Sequence, residues 1–361
     1  MLFSALIAAA IWTLLHIYVW ERLFATTLLV PAAAFVVLAA SPFVALFAAR
    51  TGRVPFRAAV GAIGFTAVAL SSLLFVFALA ADVLFLRWWL SPYTVTLLVT
   101  TCSLALIVVG AWRARFPAVV RVRVPIAGLA PALNGFRIVQ LSDLHISDTL
   151  RRSFVERVVT TANELNADVI ALTGDIADAH VADAREDASP LARLEAVHGK
   201  FFVTGNHEYY WDVHGWVSEV ERLGFEPLMN AHRVITRDGA RVLVAGVTDG
   251  LAGAGTPGHR SDPRAAVAEA PAADVRVLLA HQPISAFDAH KVGFDLQISG
   301  HTHGGQYFPF TLLVRLFQPF VSGLHRLGDM WLYVSRGTGY WGPPIRICAP
   351  SEITLLELIP A

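Results

Sequence analysis

Two regimes of hydrophobic patterning divide the chain. Residues 2–20, 26–49, 58–85 and 91–112 are near-continuous apolar runs, whereas from about residue 121 short apolar runs of strand length alternate with segments of helical periodicity. Each long run is close to the roughly 20 residues a helix needs to cross a hydrocarbon core about 30 Å thick. Residues 1–120 are therefore predicted to be a four-helix transmembrane region. Pro31 and Pro42 fall in the second run, where neighbouring helices can satisfy the freed carbonyls, so they predict a kink rather than a break. Trp12, Trp20, Trp88, Trp89 and Trp112 lie mostly near run ends, where amphipathic rings anchor at a membrane interface. The first run lacks the basic flank of a cleaved signal peptide and is followed by three runs of the same character, so it reads as a span.

Residues 121–361 form a second domain. Strand-like runs are expected at 121–125, 136–142, 169–173, 201–204, 233–236, 242–247, 275–280, 296–299, 331–335 and 353–358, with helices near 153–165, 190–197 and 213–223. That alternation predicts an α/β domain. Residues 250–273, rich in Ala, Gly and Pro, are expected to form a surface loop ending in a short helix.

Composition sharpens this division. With 361 residues, 55% hydrophobic, 16% charged and a mean hydropathy of +0.55, the chain is too apolar for an ordinary soluble enzyme. Its zero net charge splits into +7 over residues 1–123 and −7 over residues 124–361. Arg50, Arg53 and Arg57 lie between the second and third runs, and Arg113, Arg115, Arg121 and Arg123 follow the fourth. The positive-inside rule then puts both termini in the cytoplasm. Cys102 and Cys348 cannot build a disulfide framework and read as small apolar fillers.

Candidate chemistry gathers just past the predicted strands. Asp143-Leu-His145, Gly174-Asp175, Gly205-Asn-His-Glu208, His281 in Leu278-Leu-Ala-His-Gln-Pro283, and Gly300-His-Thr-His303 all end such runs. In layered α/β domains the carboxyl ends of strands converge on one edge. Asp143, His145, Asp175, Asn206, His281, His301 and His303 can therefore meet in one site. Carboxylate or amide oxygen with imidazole nitrogen suits Mn²⁺, Fe²⁺ or Zn²⁺. A carboxylate such as that of Asp175 can bridge two ions about 3.5–4 Å apart, which polarise a phosphate and lower the pKa of a shared water. Phosphate ester hydrolysis is the reaction such a site serves best.

The ordered set D-x-H, G-D, G-N-H-E, a lone H and G-H-x-H resembles the calcineurin-like metallophosphoesterases, and the final Gly-His-Thr-His-Gly-Gly-Gln306 is similar to the branch with membrane-associated bacterial phosphodiesterases. The resemblance spans about residues 124–358. It implies two mixed β-sheets face to face with helices outside, an α-β-β-α order. It also implies two divalent ions, one bound by Asp143, His145 and His303, the other by Asn206, His281 and His301, with Asp175 bridging. His207 would protonate the leaving oxygen, and Glu208 would orient its neighbours.

Other residues stay open at this stage. His16, His180, His198, His214, His232, His259, His290 and His325 have no matched partners and read as ordinary core or surface histidines. Asp178 reads equally as support for the site or as a helix cap. Arg151 and Arg152 suit either a substrate phosphate or a solvated helix start. Residues 307–320, apolar with one charge, read either as a buried core helix or as a wall or lid, with Leu312, Leu316 and Phe317, that holds acyl chains or dips into the bilayer surface.

The expectation is a multi-pass enzyme of the bacterial inner membrane with a cytoplasmic catalytic domain. It would hydrolyse a phosphodiester or pyrophosphate bond of a lipid-linked substrate; UDP-2,3-diacylglucosamine and phospholipids are the cases the resemblance suggests. A soluble substrate such as a cyclic nucleotide and a non-catalytic membrane sensor are the alternatives. The −7 charge of the catalytic part disfavours nucleic acid, and no protein partner is implied.

Overall fold

The computed structural model describes residues 2–25, 32–51, 57–251 and 253–361. Pro31, Arg53 and the start of the second apolar run lie outside them. The chain packs as two compact units: Met1–Arg113 with Gly342–Ile347, and Ala114–Trp341 with Cys348–Ala361.

In the first unit the four apolar runs form helices α1 (Leu2–Val19), α2 (Ala32–Thr51), α3 (Arg57–Val83) and α4 (Pro92–Arg115). They enclose a cluster that includes Leu23, Phe35, Leu74, Ala78 and Val99. Leu14, Val37, Ile63 and Val108 point outward and exposed, a surface suited to lipid rather than water. Among the described residues two helices, Ala58–Val83 and Pro92–Arg115, are long and apolar enough to cross a membrane, so the structure supports two of the four expected spans. Trp88 and Trp89 are exposed between α3 and α4. Asp82 pairs with Arg22 at 2.6 Å and with Arg87 at 2.7 Å, so this acid at the end of α3 is neutralised locally.

The second unit holds, among its described residues, two six-stranded mixed sheets. The first contains β1 (Ala118–Ile126), β2 (Arg137–Leu141), β3 (Val169–Leu172), β4 (Lys200–Phe202), β5 (Glu226–Pro227) and β12 (Glu352–Pro360), in the order β1-β12-β2-β3-β4-β5. In the second, β6 (Ala231–Arg237), β7 (Ala240–Gly246), β8 (Val275–Leu279), β9 (Leu296–Ser299), β10 (Gly323–Leu327) and β11 (Met330–Val334) follow the order β10-β11-β9-β8-β7-β6. The strands β2 to β5, and likewise β7, β8, β9 and β11, run parallel.

Successive residues of a strand point to opposite faces, and each face is buried. Ile138, Val169 and Phe201 of the first sheet meet Val242, Val277, Leu296 and Ile298 of the second. On the far face of the first sheet Val139, Leu141, Ile170 and Phe202 pack against α5 (Arg152–Asn163), α6 (Val181–Ala188) and α8 (Val213–Arg222). Leu243, Leu278 and Leu332 pack on the far face of the second sheet, with Ala286 and Ala289 of α9 (Ala286–Val292). This is the expected sandwich of two mixed sheets between helices.

The helix expected near 190–197 is corrected. The helical segment is α6, before Pro190, and Pro190 sits in the first turn of a 3₁₀ segment, Ser189–Arg193. Its fixed φ suits a first turn, and its missing N–H stops α6 from continuing. A helix not expected from the sequence, α7 (Asn206–Trp211), follows β4, and a short one, α10 (Phe310–Leu313), lies in the apolar segment.

Candidate metal centre

Both sheets present the carboxyl ends of parallel strands to one place. Asp143 and His145 follow β2, Asp175 follows β3, and Asn206 and His207 open α7 after β4. From the other sheet come His281 after β8 and His301 and His303 after β9. Main-chain hydrogen bonds link the first two loops, from Asp143 N to Gly174 O at 3.0 Å and from His145 N to Asp175 O at 3.1 Å. Asp143, His145, Asp175, His301 and His303 all hold positive φ, from 46° to 72°. Backbone in that sparsely populated region costs of order 1–3 kcal/mol per residue and clusters where function needs a particular side-chain direction.

Two glycines make room for this. A Cβ on Gly205 would run into Asp175 Oδ1, and one on Gly300 into Ser142 Oγ and Asp143 Oδ2.

Hydroxyl and backbone donors hold each carboxylate, and one oxygen of each faces the histidines. Asp143 Oδ2 accepts from Ser142 Oγ at 2.5 Å, both oxygens share the His301 N–H, Oδ1 at 3.0 Å and Oδ2 at 3.2 Å, and Oδ1 also lies 3.3 Å from His303 Nε2. Asp175 Oδ1 accepts from His207 N at 2.9 Å, while Oδ2 faces His281 Nε2 at 3.2 Å and His145 Nε2 at 3.8 Å. His145 Nε2 and His303 Nε2 are 3.0 Å apart, and His301 Nδ1 lies 3.0 Å from Asn206 Oδ1 and 3.2 Å from His281 Nε2. Two donor clusters result, Asp143/His145/His303 and Asp175/His281/His301, with Asn206 beside the second.

The protonation pattern shows what these gaps suit. His281 Nδ1 is 2.7 Å from the Thr173 carbonyl, which can only accept, so Nδ1 carries a proton. In the neutral ring Nε2 then aims a lone pair at the Asp175 carboxylate. His145 Nδ1 is likewise committed to Asp178 Oδ1 at 2.9 Å, which turns its Nε2 lone pair toward His303. Lone pairs facing lone pairs at these separations call for a proton or a metal ion between them, and nitrogen and oxygen atoms so spaced fit around an ion bonded at about 2.0–2.2 Å. The donor set therefore fits divalent metal.

The electrostatics agree. Burial alone would raise the carboxyls of Asp143 and Asp175, but the charges of His303 and His281 respectively outweigh it and hold both below the usual carboxylate range. Burial lowers His281, yet the charge of Asp175 wins and raises it well above an ordinary histidine. At His301 burial and the charge of His281 prevail and lower the ring. The field that draws protons into the site draws metal cations equally.

His207 stands beside the clusters. Its Nδ1 lies 2.6 Å from Asp178 Oδ1, off the line of a straight hydrogen bond but within ion-pair range. Burial works against charge on this ring, but the pairing with Asp178 and the charges of Asp175 and Glu208 push it up to about 9. One further group of donors, His145/Asp175/His207, includes this ring; the Asp178 contact occupies its Nδ1 and leaves Nε2 as the free nitrogen. Asp178 thus supports two histidines and caps no helix. Glu208 is fully buried and clamps backbone: Oε2 accepts from Gly205 N at 2.7 Å and Asp175 N at 3.0 Å, and Oε1 from Ile176 N at 2.7 Å.

Other expectations fare differently. Arg151 and Arg152 lie exposed at the start of α5, with Arg151 bonded to the Asp148 carbonyl and Arg152 to Glu156, the Glu186 carbonyl and Ser189. The structure does not bring them into the cluster. A buried core helix at 307–320 is overturned, because Leu312, Leu316 and Phe317 are 57%, 75% and 80% exposed. Sequence reading passed over Asp249, which is buried three residues past β7 and accepts from Gln282 Nε2 at 2.8 Å. It satisfies the same strand-end rule that found the ligand candidates.

Comparison with known proteins agrees with this geometry. Residues 136–305 match the family described as Calcineurin-like phosphoesterase. The chain is 41% identical over 250 residues to a "Transmembrane protein with metallophosphoesterase domain" of Danio rerio, across 67% of this chain and 57% of that protein. The chain thus spans little more than half the length of that relative. It is 32% identical over 237 residues to an uncharacterized metallophosphoesterase of Bacillus subtilis (62% of this chain, 79% of that one). An uncharacterized metallophosphoesterase of Aquifex aeolicus is 30% identical over 233 residues (63% and 87%).

Proposed function

Because the chain belongs to the calcineurin-like phosphoesterase family, we propose that it is a membrane-anchored, binuclear metal-dependent phosphoesterase acting on a lipid-linked phosphodiester or pyrophosphate. The observation that carries this reading is the pair of donor clusters joined through Asp175 Oδ2, with imidazole lone pairs turned into both gaps. Asp143, His145 and His303 would hold one ion and Asn206, His281 and His301 the other, with Asp175 placed to serve both. Bound ions of the Mn²⁺, Fe²⁺ or Zn²⁺ type would supply Lewis acidity toward a phosphate and toward water.

The rest falls to the chain's own groups. Asp178 holds His207 charged and oriented by Nδ1, which leaves Nε2 to give its proton to the departing oxygen. Glu208 keeps the Asp175 and Asn206 loops in register through three backbone N–H groups. Three buried acids, Asp143, Asp175 and Glu208, with the partly buried Asp178 beside them, would repel an anionic substrate unless cations offset them.

The exposed ridge of Leu312, Leu313, Leu316 and Phe317 supports a lipid-linked substrate. So do the two helices apolar enough to cross a bilayer. We read α1 and α2 as further spans, and the arginines after α4 as placing the catalytic domain in the cytoplasm. The test is turnover of a bis-aryl phosphate and of a nucleotide-linked diacyl sugar, with Mn²⁺ or chelator, by wild type, Asn206→Ala and His207→Ala. Metal-dependent turnover of both, with preference for the diacyl substrate, is expected. Turnover of the soluble diester alone would defeat the lipid assignment, and no turnover by metal-loaded protein would defeat the enzyme.

A further inference from the structure

Two large aromatic rings stand exposed beside the buried His207. Tyr210 follows it by three residues on α7, so both share a helix face; their ring centroids are 5.2 Å apart and tilted by 58°. Trp341, from the segment after β11, lies 5.9 Å from His207 at 75°. Tyr210 is 65% exposed and Trp341 53%, against 9% for His207. Exposed aromatic faces at the mouth of a polar site lose hydrophobic stabilisation unless something covers them, and rings at 4.5–7 Å from a neighbour are placed for aromatic packing.

The position of Trp341 is set by a residue the metal centre does not use. Gln306 Oε1 accepts from Trp341 N at 3.1 Å, and Gln306 Nε2 donates to Trp341 O at 3.0 Å. Both ends of one amide thus grip the backbone of a single residue, and Gln306 itself is buried with a φ of 61°. It lies three residues past His303, so the loop that carries this ligand also fixes the tryptophan.

We propose that Trp341 and Tyr210 form a leaving-group subsite beside His207, with Gln306 as the residue that positions Trp341, and that the subsite selects phosphoesters whose leaving group carries a flat ring. This rests on the phosphoester reading above, in which His207 faces the departing oxygen. An amide is required at position 306, since a carboxylate there keeps the acceptor but loses the donor.

Binding of inert phosphonates tests it without turnover. Full-length protein in detergent, loaded with Mn²⁺, is titrated calorimetrically with methyl-, phenyl- and octylphosphonate, using wild type, Trp341→Ala, Trp341→Phe and Gln306→Ala. Wild type should bind phenylphosphonate about tenfold tighter than methylphosphonate, the size of one ring-stacking contact. Trp341→Ala should bring that ratio to within about twofold; Trp341→Phe should keep most of it, and Gln306→Ala should lower it. Thermal melts and metal content confirm that each variant is folded and loaded. An equal affinity of wild type for phenyl- and methylphosphonate, or an unchanged ratio in Trp341→Ala, would overturn the subsite. Octylphosphonate bound as tightly as phenylphosphonate would overturn the flat-ring selectivity. Binding of none of the three would overturn the phosphoester reading and the subsite together.

Discussion

The carboxylate of Asp178 and the imidazole of His207 meet at 2.6 Å, and the same Asp178 oxygen lies 2.9 Å from His145 Nδ1. One carboxylate therefore orients a metal-ligand candidate and the candidate proton donor at once. Replacing it by an amide keeps the shape and removes the charge. Asp178→Asn should lose about 10–100-fold in kcat, the usual cost of removing such a support. Steady-state kinetics with metal analysis checks this, and unchanged kcat in fully loaded protein would contradict it.

Glu208 gives a stability prediction. Its two oxygens accept three backbone N–H groups from two loops in a fully buried position. Glu208→Gln turns one acceptor into a donor that faces an N–H, leaving a buried polar group unmatched at a cost of about 1–3 kcal/mol. A lower Tm is expected in chelator as well as in metal, because the clamp acts on backbone. A loss seen only with metal bound would place its role in the ions instead.

Metal removal should register in heat and in protons. With free metal at about 100 times Kd, an ion bound only by the folded state contributes about 2.7 kcal/mol, so chelator should lower Tm by roughly 5–10 °C for a domain of this size. Without metal, burial disfavours the charged His281 ring but the charge of Asp175 outweighs it and keeps the ring protonated at neutral pH. A bound cation must expel that proton, so metal affinity should rise with pH and binding at pH 7 should release protons. Calorimetry in two buffers of different ionisation enthalpy measures the release; identical heats would contradict it.

The apolar ridge separates substrate binding from folding. Because Leu312, Leu316 and Phe317 are exposed, changing them together to serine should alter stability by less than about 0.5 kcal/mol per site. Turnover of a diacyl substrate should fall while that of a soluble aryl diester stays. A large drop in Tm, or equal loss on both substrates, would show that the ridge packs rather than binds.

The site was readable in the sequence where chemistry and backbone coincide. Asp143, Asp175, His281 and His301 each follow a run that is apolar over strand length, and the parallel order of β2, β3, β4 and of β7, β8, β9 brings those ends together. The Thr173 carbonyl that fixes the His281 tautomer has no signature in side-chain identity. The pairing of Asp178 with two histidines depends on the path of the loop after β3, which no local pattern specifies. Helix α7 was missed because Asn206-His-Glu-Tyr-Tyr-Trp211 has no apolar period; its first turn is held by Glu208 accepting from Gly205 N. Exposure at 307–320 was undecidable from composition, since a core helix and a lipid-facing one have the same apolar content.

The left-handed backbone at Asp143, His145, Asp175, His301 and His303 also limits how this chain can diverge. Among residues with a side chain, Asn, Asp and His are those enriched at positive φ, while β-branched residues there are severe outliers. The residue types that bind metal are thus also the ones that these turns tolerate. A descendant released from catalysis would still favour Asp, Asn, His or Gly at these five positions, and could therefore keep much of a ligand set whose chemistry it no longer used.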